Sequence, residues 1–148
     1  MQNDKRRARK SPPSLADSDY AALAMFRHSL RGFLAFSEEA ARKAGLTPQQ
    51  HQALLAVRGL GSEKGITVGE LASHLLLKHH TAVGLADRLV QAGLLLRTPD
   101  QTDRRRVLLS LTAKANQALK ALSATHLAEI RRHAPQLVEL LRKLSAEA

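Results

Sequence analysis

Between Ile66 and Thr112 the chain spells out two helices and a hairpin, each with its own start and stop signals. Thr67 and Glu70 stand at the spacing at which a hydroxyl and a carboxylate cap a helix start reciprocally, and Ile66 and Leu71 are placed for a hydrophobic staple across it. This predicts a short helix over residues 68–74, a turn at Leu75-Leu76-Leu77, and a longer helix over residues 78–92. Gly93 supplies the left-handed stop that such helices favour. In the second helix Ala82, Leu85, Ala86 and Leu89 recur at i, i+3, i+4 and i+7, one apolar stripe at helical period. At about 100° per residue, His80, Gly84, Asp87 and Gln91 project from the opposite side, flanked by Thr81, Val83 and Arg88.

Two apolar runs follow, Leu94-Leu95-Leu96 and Val107-Leu108-Leu109, separated by a Pro- and Asp-containing connection. That arrangement predicts a hairpin with a solvated loop. Arg104, Arg105 and Arg106 make the far end of the loop positive. Helix, turn, helix and basic hairpin add up to a winged helix-turn-helix, a shape suited to placing one helix in a DNA major groove.

The flanks are helical as well. Residues 19–44 carry Leu23, Phe26, Leu30 and Phe33 or Leu34 at helical spacing, with Ser18 as the expected N-cap and Gly45 as the stop. Phe26, Phe33 and Phe36, three of only four aromatic residues in the chain, lie there. This clustering admits two readings: a helix that fills a core or interface, or the wall of a pocket for an apolar ligand. Thr47, Pro48 and Gln50 predict another helix start, leading to Leu54, Leu55, Val57 and Leu60. The Gly-rich stretch at residues 59–65 is a connector, because no Gly-Lys-Ser/Thr closes it into a phosphate loop.

After the hairpin, Thr112 caps a stripe of Ala115, Leu119, Leu122, His126, Ile130, His133, Leu137 and Leu144. Pro135 falls within it and predicts two helices, residues 113–133 and 135–146. So long an apolar stripe has too little remaining chain to cover it, which points to a second copy related by a two-fold axis. The expected fold class is therefore mainly α: a winged helix-turn-helix with a two-stranded wing over residues 47–112, flanked by N- and C-terminal dimerisation helices (19–44 and 113–148). Residues 15–148 form a single domain in this reading. Residues 1–14 are expected to be a disordered basic tail, serving either solubility or extra phosphate contacts.

Composition narrows the function. A net charge of +10 favours a polyanionic partner without choosing which. The absence of cysteine excludes disulfides and thiol-based sensing. No run is long enough and apolar enough for a membrane span, and no secretory apolar region is present, so a cytoplasmic location is expected. No nucleophile motif, paired-carboxylate arrangement or cofactor fingerprint supports an enzyme, and no cofactor is expected. Among the seven histidines, His79 and His80 diverge on a helix and His126 and His133 lie seven residues apart, so no metal site is expected. His126 and His133 are expected in the dimer seam, polar tips outward.

Leu71-Ala72, Thr81, Asp87-Arg88-Leu89, Gly93-Leu94 with Arg97, Asp103-Arg104-Arg105 and Leu111-Thr112 together resemble the MarR family of bacterial transcription regulators. The detailed match runs over residues 47–119, and the architecture matches throughout. Departures fall at Thr102, where the family's wing often carries arginine, and at Leu76 and Ala115, where glycine is frequent. The resemblance implies a homodimer joined through its terminal helices and binding double-stranded DNA. It implies that Arg105 reads the minor groove, oriented by Asp103, and that a small aromatic or anionic effector binds between the dimer helices and the DNA-binding unit. His28, Arg31 and His51 are the candidates to line that pocket.

The expected mechanism places His80, Thr81, Val83 and Gly84 in the major groove, with Lys78 and Arg104 on phosphates. The function expected is a sequence-specific regulator, a repressor acting on an inverted repeat and released by its effector. The alternative is a winged helix used for architectural nucleic-acid binding or protein contacts without sequence preference.

Overall fold

Three of the five helices among the described residues begin at a threonine. The computed structural model describes residues 14–146, so the basic run at residues 5–10 lies outside it. In chain order the elements are α1 (Asp17–Lys43), α2 (Pro48–Gly61), α3 (Val68–Leu75), α4 (His79–Gln91), β1 (Leu95–Pro99), β2 (Val107–Leu111) and α5 (Ala113–Ser145). Thr47 and Gln50 form the expected capping box on α2, each accepting the other's backbone N–H at 3.1 and 3.0 Å. Thr67 and Glu70 do the same on α3, at 3.2 and 2.7 Å. Thr112 Oγ1 accepts from Ala115 N–H at 3.2 Å and starts α5.

Two expectations about the long helices are corrected. Ser18 is not the cap of α1; the cap lies two residues earlier, at Ala16, whose N–H donates to Asp19 Oδ2 at 2.8 Å. Pro135 does not divide the last helix either: α5 runs unbroken from Ala113 to Ser145. A proline removes one N–H and crowds one carbonyl, at about 3 kcal/mol in a helix interior. The apolar stripe stays in phase across it, from Ile130 to Leu137 and Leu144, so one helix keeps one face.

The core gathers where α2, α3, α4 and the hairpin meet the first half of α5. Leu54, Val57, Leu71, Leu85, Leu89, Leu95 and Leu109 are fully buried. Each such leucine contributes about 1.5–3 kcal/mol by leaving water. The stripe expected on α4 is the buried one, Ala82, Leu85, Ala86 and Leu89. β1 and β2 pair antiparallel from Leu95↔Leu111 to Pro99↔Val107. Ile66 extends this sheet by an isolated bridge to Leu109, which ties the entry of α3 to β2. α1 lies along α5, and Ala41 is its one buried residue. Its aromatic cluster serves packing: Phe33 and Phe36, both half-buried, meet the His126 ring edge-on at centroid distances of 6.0 and 5.5 Å.

Candidate nucleic-acid interface

With its apolar stripe turned inward, α4 leaves a polar face outside. Lys78, the N-cap, and His80 are exposed, and Thr81, Val83 and Gly84 are half-exposed. No side chain from Lys78 to Thr81 hydrogen-bonds within the described residues. A Cβ built on Gly84 meets only Arg88 Nη1, at 3.5 Å, so packing inside the chain does not require a glycine there. The turn leading into α4 closes on Leu76, which adopts left-handed backbone angles (φ 55°, ψ 39°) with its side chain 91% exposed.

Asp87 does not simply face outward. Arg97 of β1 donates to its carboxylate, joining the second half of α4 to the wing. Sequence reasoning placed both residues in one motif but missed that they pair. The signal was opposite charge across the Gly93 turn.

The wing tip is built from backbone bonds and two aspartates. Asp100 N–H donates to Arg106 O at 2.9 Å, and Arg106 N–H donates to Asp103 O at 2.9 Å. Asp100 Oδ1 accepts from Thr102 N–H at 3.0 Å and its hydroxyl at 2.9 Å, which holds the Asp100 carboxyl below the usual range. Asp103 Oδ1 accepts from Arg105 N–H at 3.1 Å and stands 3.7 Å from Arg105 Nε. The Arg105 side chain is otherwise 96% exposed, and Arg104 is exposed without an ion pair among the described residues. Arg106 turns back instead, toward Glu70.

The MarR family model matches residues 44–106, which run from the end of α1 to the end of the wing tip. Over this stretch the chain is similar to the MarR family. Among curated relatives, the chain is 34% identical over 101 residues to the HTH-type transcriptional repressor MdtR of Bacillus subtilis, covering 68% of this chain and 63% of that protein. It is 32% identical over 79 residues to the transcriptional activatory protein BadR of Rhodopseudomonas palustris, covering 53% of this chain and 45% of that one. The chain thus spans between about half and two thirds of the length of these relatives. Among solved structures, CouR from Rhodococcus jostii RHA1 bound to p-coumaroyl-CoA superposes with a TM-score of 0.69 at 25% identity, over 88% of this chain and 92% of that one. These relatives are transcription regulators, not enzymes.

The candidate effector residues of this chain are not in equivalent settings. His28 and Arg31 are exposed on α1, whereas His51 of α2 is buried, 4% exposed, with its Nδ1 lacking a hydrogen-bond partner. None of the three lines either of two surface clefts, one bounded by Arg58, Ser62, Asn116 and Lys120 and one by Leu60, Ser73 and His74. His51 packs against His126, and His126 corrects another expectation. It is 8% exposed inside the protomer rather than tip-outward in a seam. Its Nδ1 donates to the Leu122 carbonyl at 2.7 Å, which leaves Nε2 to accept from the Ser37 hydroxyl at 2.8 Å. His133 is exposed and lies 3.0 Å from Glu129. No cluster of three metal-ligating side chains occurs among the described residues, and no helix there is long and apolar enough to cross a membrane.

Proposed function

We propose that this chain is a sequence-specific DNA-binding transcription regulator, a repressor that works as a homodimer on an inverted-repeat operator and is released by a small aromatic or anionic effector. One observation carries the DNA reading: Lys78, His80 and Thr81 at the start of α4, and the guanidinium groups of Arg104 and Arg105 at the wing tip, face solvent without a side-chain hydrogen bond among the described residues. His80 and Thr81 bond base edges or phosphate, Val83 meets a thymine methyl, and the bare Gly84 admits close backbone approach. Lys78 and Arg104 hold phosphates, and Arg105 enters the minor groove beside the wing.

The dimer is supported by apolar side chains left uncovered at helical spacing. Leu23, Leu30 and Leu34 on α1 and Ile130, Val138 and Leu141 on α5 are each more than 40% exposed. An isologous dimer through these helices holds two copies of α4 about one DNA turn apart, which demands an inverted repeat. Repression follows the alignment to MdtR, which is longer than that to BadR, and the effector class follows the p-coumaroyl-CoA bound by CouR. His28, Arg31 and His51 remain the residues proposed to meet the effector.

Footprinting on the DNA upstream of the chain's own gene, beside light scattering of the purified full-length protein, tests this reading. A dimeric mass and a protected inverted repeat are expected. A monomer, or uniform weak protection without sequence preference, overturns it in favour of an architectural nucleic-acid binder.

A further inference from the structure

The three consecutive arginines of the wing carry equal charge in the sequence but do not share a role. We propose that Arg106 is a positioning residue: it latches the wing to the first helix of the helix-turn-helix and thereby aims Arg105, without itself touching DNA. This rests on the DNA-binding reading above and concerns a residue that reading leaves unused.

Arg106 Nη2 lies 3.6 Å from Glu70 Oε1, and its Nη1 lies 3.9 Å from Asp100 Oδ2. Both carboxylates are also held by groups other than the arginine. Glu70 Oε2 accepts from Thr67 N–H at 2.7 Å and from its hydroxyl at 3.1 Å as part of the α3 capping box, leaving Oε1 for Arg106. Those bonds, helped by the Arg106 charge, hold the Glu70 carboxyl below its usual range. Asp100 is 14% exposed at its side chain and fixed by Thr102. An arginine fork between two pre-oriented carboxylates loses less freedom per contact than an isolated surface pair.

The backbone of the same residue closes the tip, accepting from Asp100 N–H and donating to Asp103 O, each at 2.9 Å. Arg105 is its covalent neighbour, so any movement of the Arg106 backbone moves the Arg105 attachment point. α3 packs on α4, and Arg97 independently ties β1 to Asp87 of α4. Side-chain ion pairs therefore tie the wing to the helix pair at two places, from Arg97 on β1 and from Arg106 just before β2, beside the Ile66–Leu109 bridge. Exposed ion pairs contribute little to global stability, so what this pair fixes is an angle.

Glu70→Gln separates the two tasks of Glu70, because glutamine at this position keeps a capping box but carries no charge. Hydrogen exchange at residues 100–107 reads the latch without DNA. Arg106→Ala and Glu70→Gln should each speed exchange there while leaving the melting temperature nearly unchanged, and unaltered exchange in both overturns the proposal. Binding to the upstream duplex across a KCl series reads the consequence. Arg104→Ala should lower the slope of log K against log[salt] by about 1, the loss of one phosphate contact. Arg106→Ala and Glu70→Gln should each weaken binding about 3- to 10-fold at unchanged slope, and the double variant should be no weaker than the worse single one. A slope reduced by Arg106→Ala, with Glu70→Gln binding more tightly, makes Arg106 a phosphate contact and overturns the latch. Wild-type protein that binds neither this duplex nor a random one sinks the DNA reading alone, and the exchange data then decide the latch separately.

Discussion

The rings of His51 and His126 stand 4.8 Å apart, centroid to centroid, both buried where α1, α2 and α5 converge. Burial, and after it the neighbouring His126, holds the His51 imidazole below its ordinary value. The folded protein therefore refuses a proton that the unfolded chain accepts. Stability from this group is complete above the unfolded value of about 6.5 and is lost as pH falls below it toward the depressed folded value. The slope is at most about 1.4 kcal/mol per pH unit for this one proton. Urea midpoints measured from pH 7.5 to pH 5 should fall with acid in the wild type and fall less steeply in His51→Leu. Equal slopes in the two proteins would remove His51 from the acid response.

How far the sequence reaches depends on how far apart the partners lie. The boxes at Thr47/Gln50 and Thr67/Glu70 and the stripe of α4 were legible because local spacing decides them. The wing was legible from two apolar runs and the polar loop between them. His126 was not, since its stripe position says only that it faces something, and its partner Ser37 lies 89 residues away. The same holds for Arg106, whose guanidinium meets a carboxylate on α3 that serves first as a helix cap. The unbroken α5 was missed for another reason: a proline rule describes one local bond and takes no account of a packed face continuing on both sides.

Leu76 holds left-handed backbone angles that an L side chain adopts at about 1–2 kcal/mol, and its exposed side chain recovers little by burial. Glycine takes the same angles freely but loses more chain entropy on folding. Leu76→Gly should accordingly raise stability by up to about 1 kcal/mol, a few degrees in melting temperature for a chain of this size. Thermal denaturation of the two proteins decides it. A lowered melting temperature would mean that the Leu76 side chain is covered in solution, by a second copy or by its own chain.

Gly65 sits at the opposite extreme, because no other residue fits. Its φ is +93°, and a Cβ there would stand 2.0 Å from the Leu109 carbonyl oxygen. That carbonyl accepts from Ile66 N–H at 3.0 Å, while Leu109 N–H donates to Ile66 O at 2.7 Å. Gly65→Ala must push the connector away from β2 and break this bridge, losing about 2 kcal/mol or more in urea unfolding. An unchanged midpoint would show the bridge to be dispensable.

Arg105 gives the sharpest test of how the wing takes part. Asp103 fixes its backbone and flanks its Nε, and nothing else among the described residues holds the guanidinium. A narrow, electronegative minor groove is where such a group gains most, and that geometry belongs to A·T-rich sequence. Arg105→Ala should weaken binding to the protected duplex by about 1–3 kcal/mol and make the salt dependence shallower. Replacing A·T by G·C pairs at the flanks should weaken the wild type and leave the variant indifferent. Asp103→Ala should act in the same direction but more weakly, and add nothing once Arg105 is gone, because its part in binding runs through that side chain. Binding that is unchanged in Arg105→Ala would take the wing out of recognition and leave α4 to read the operator alone.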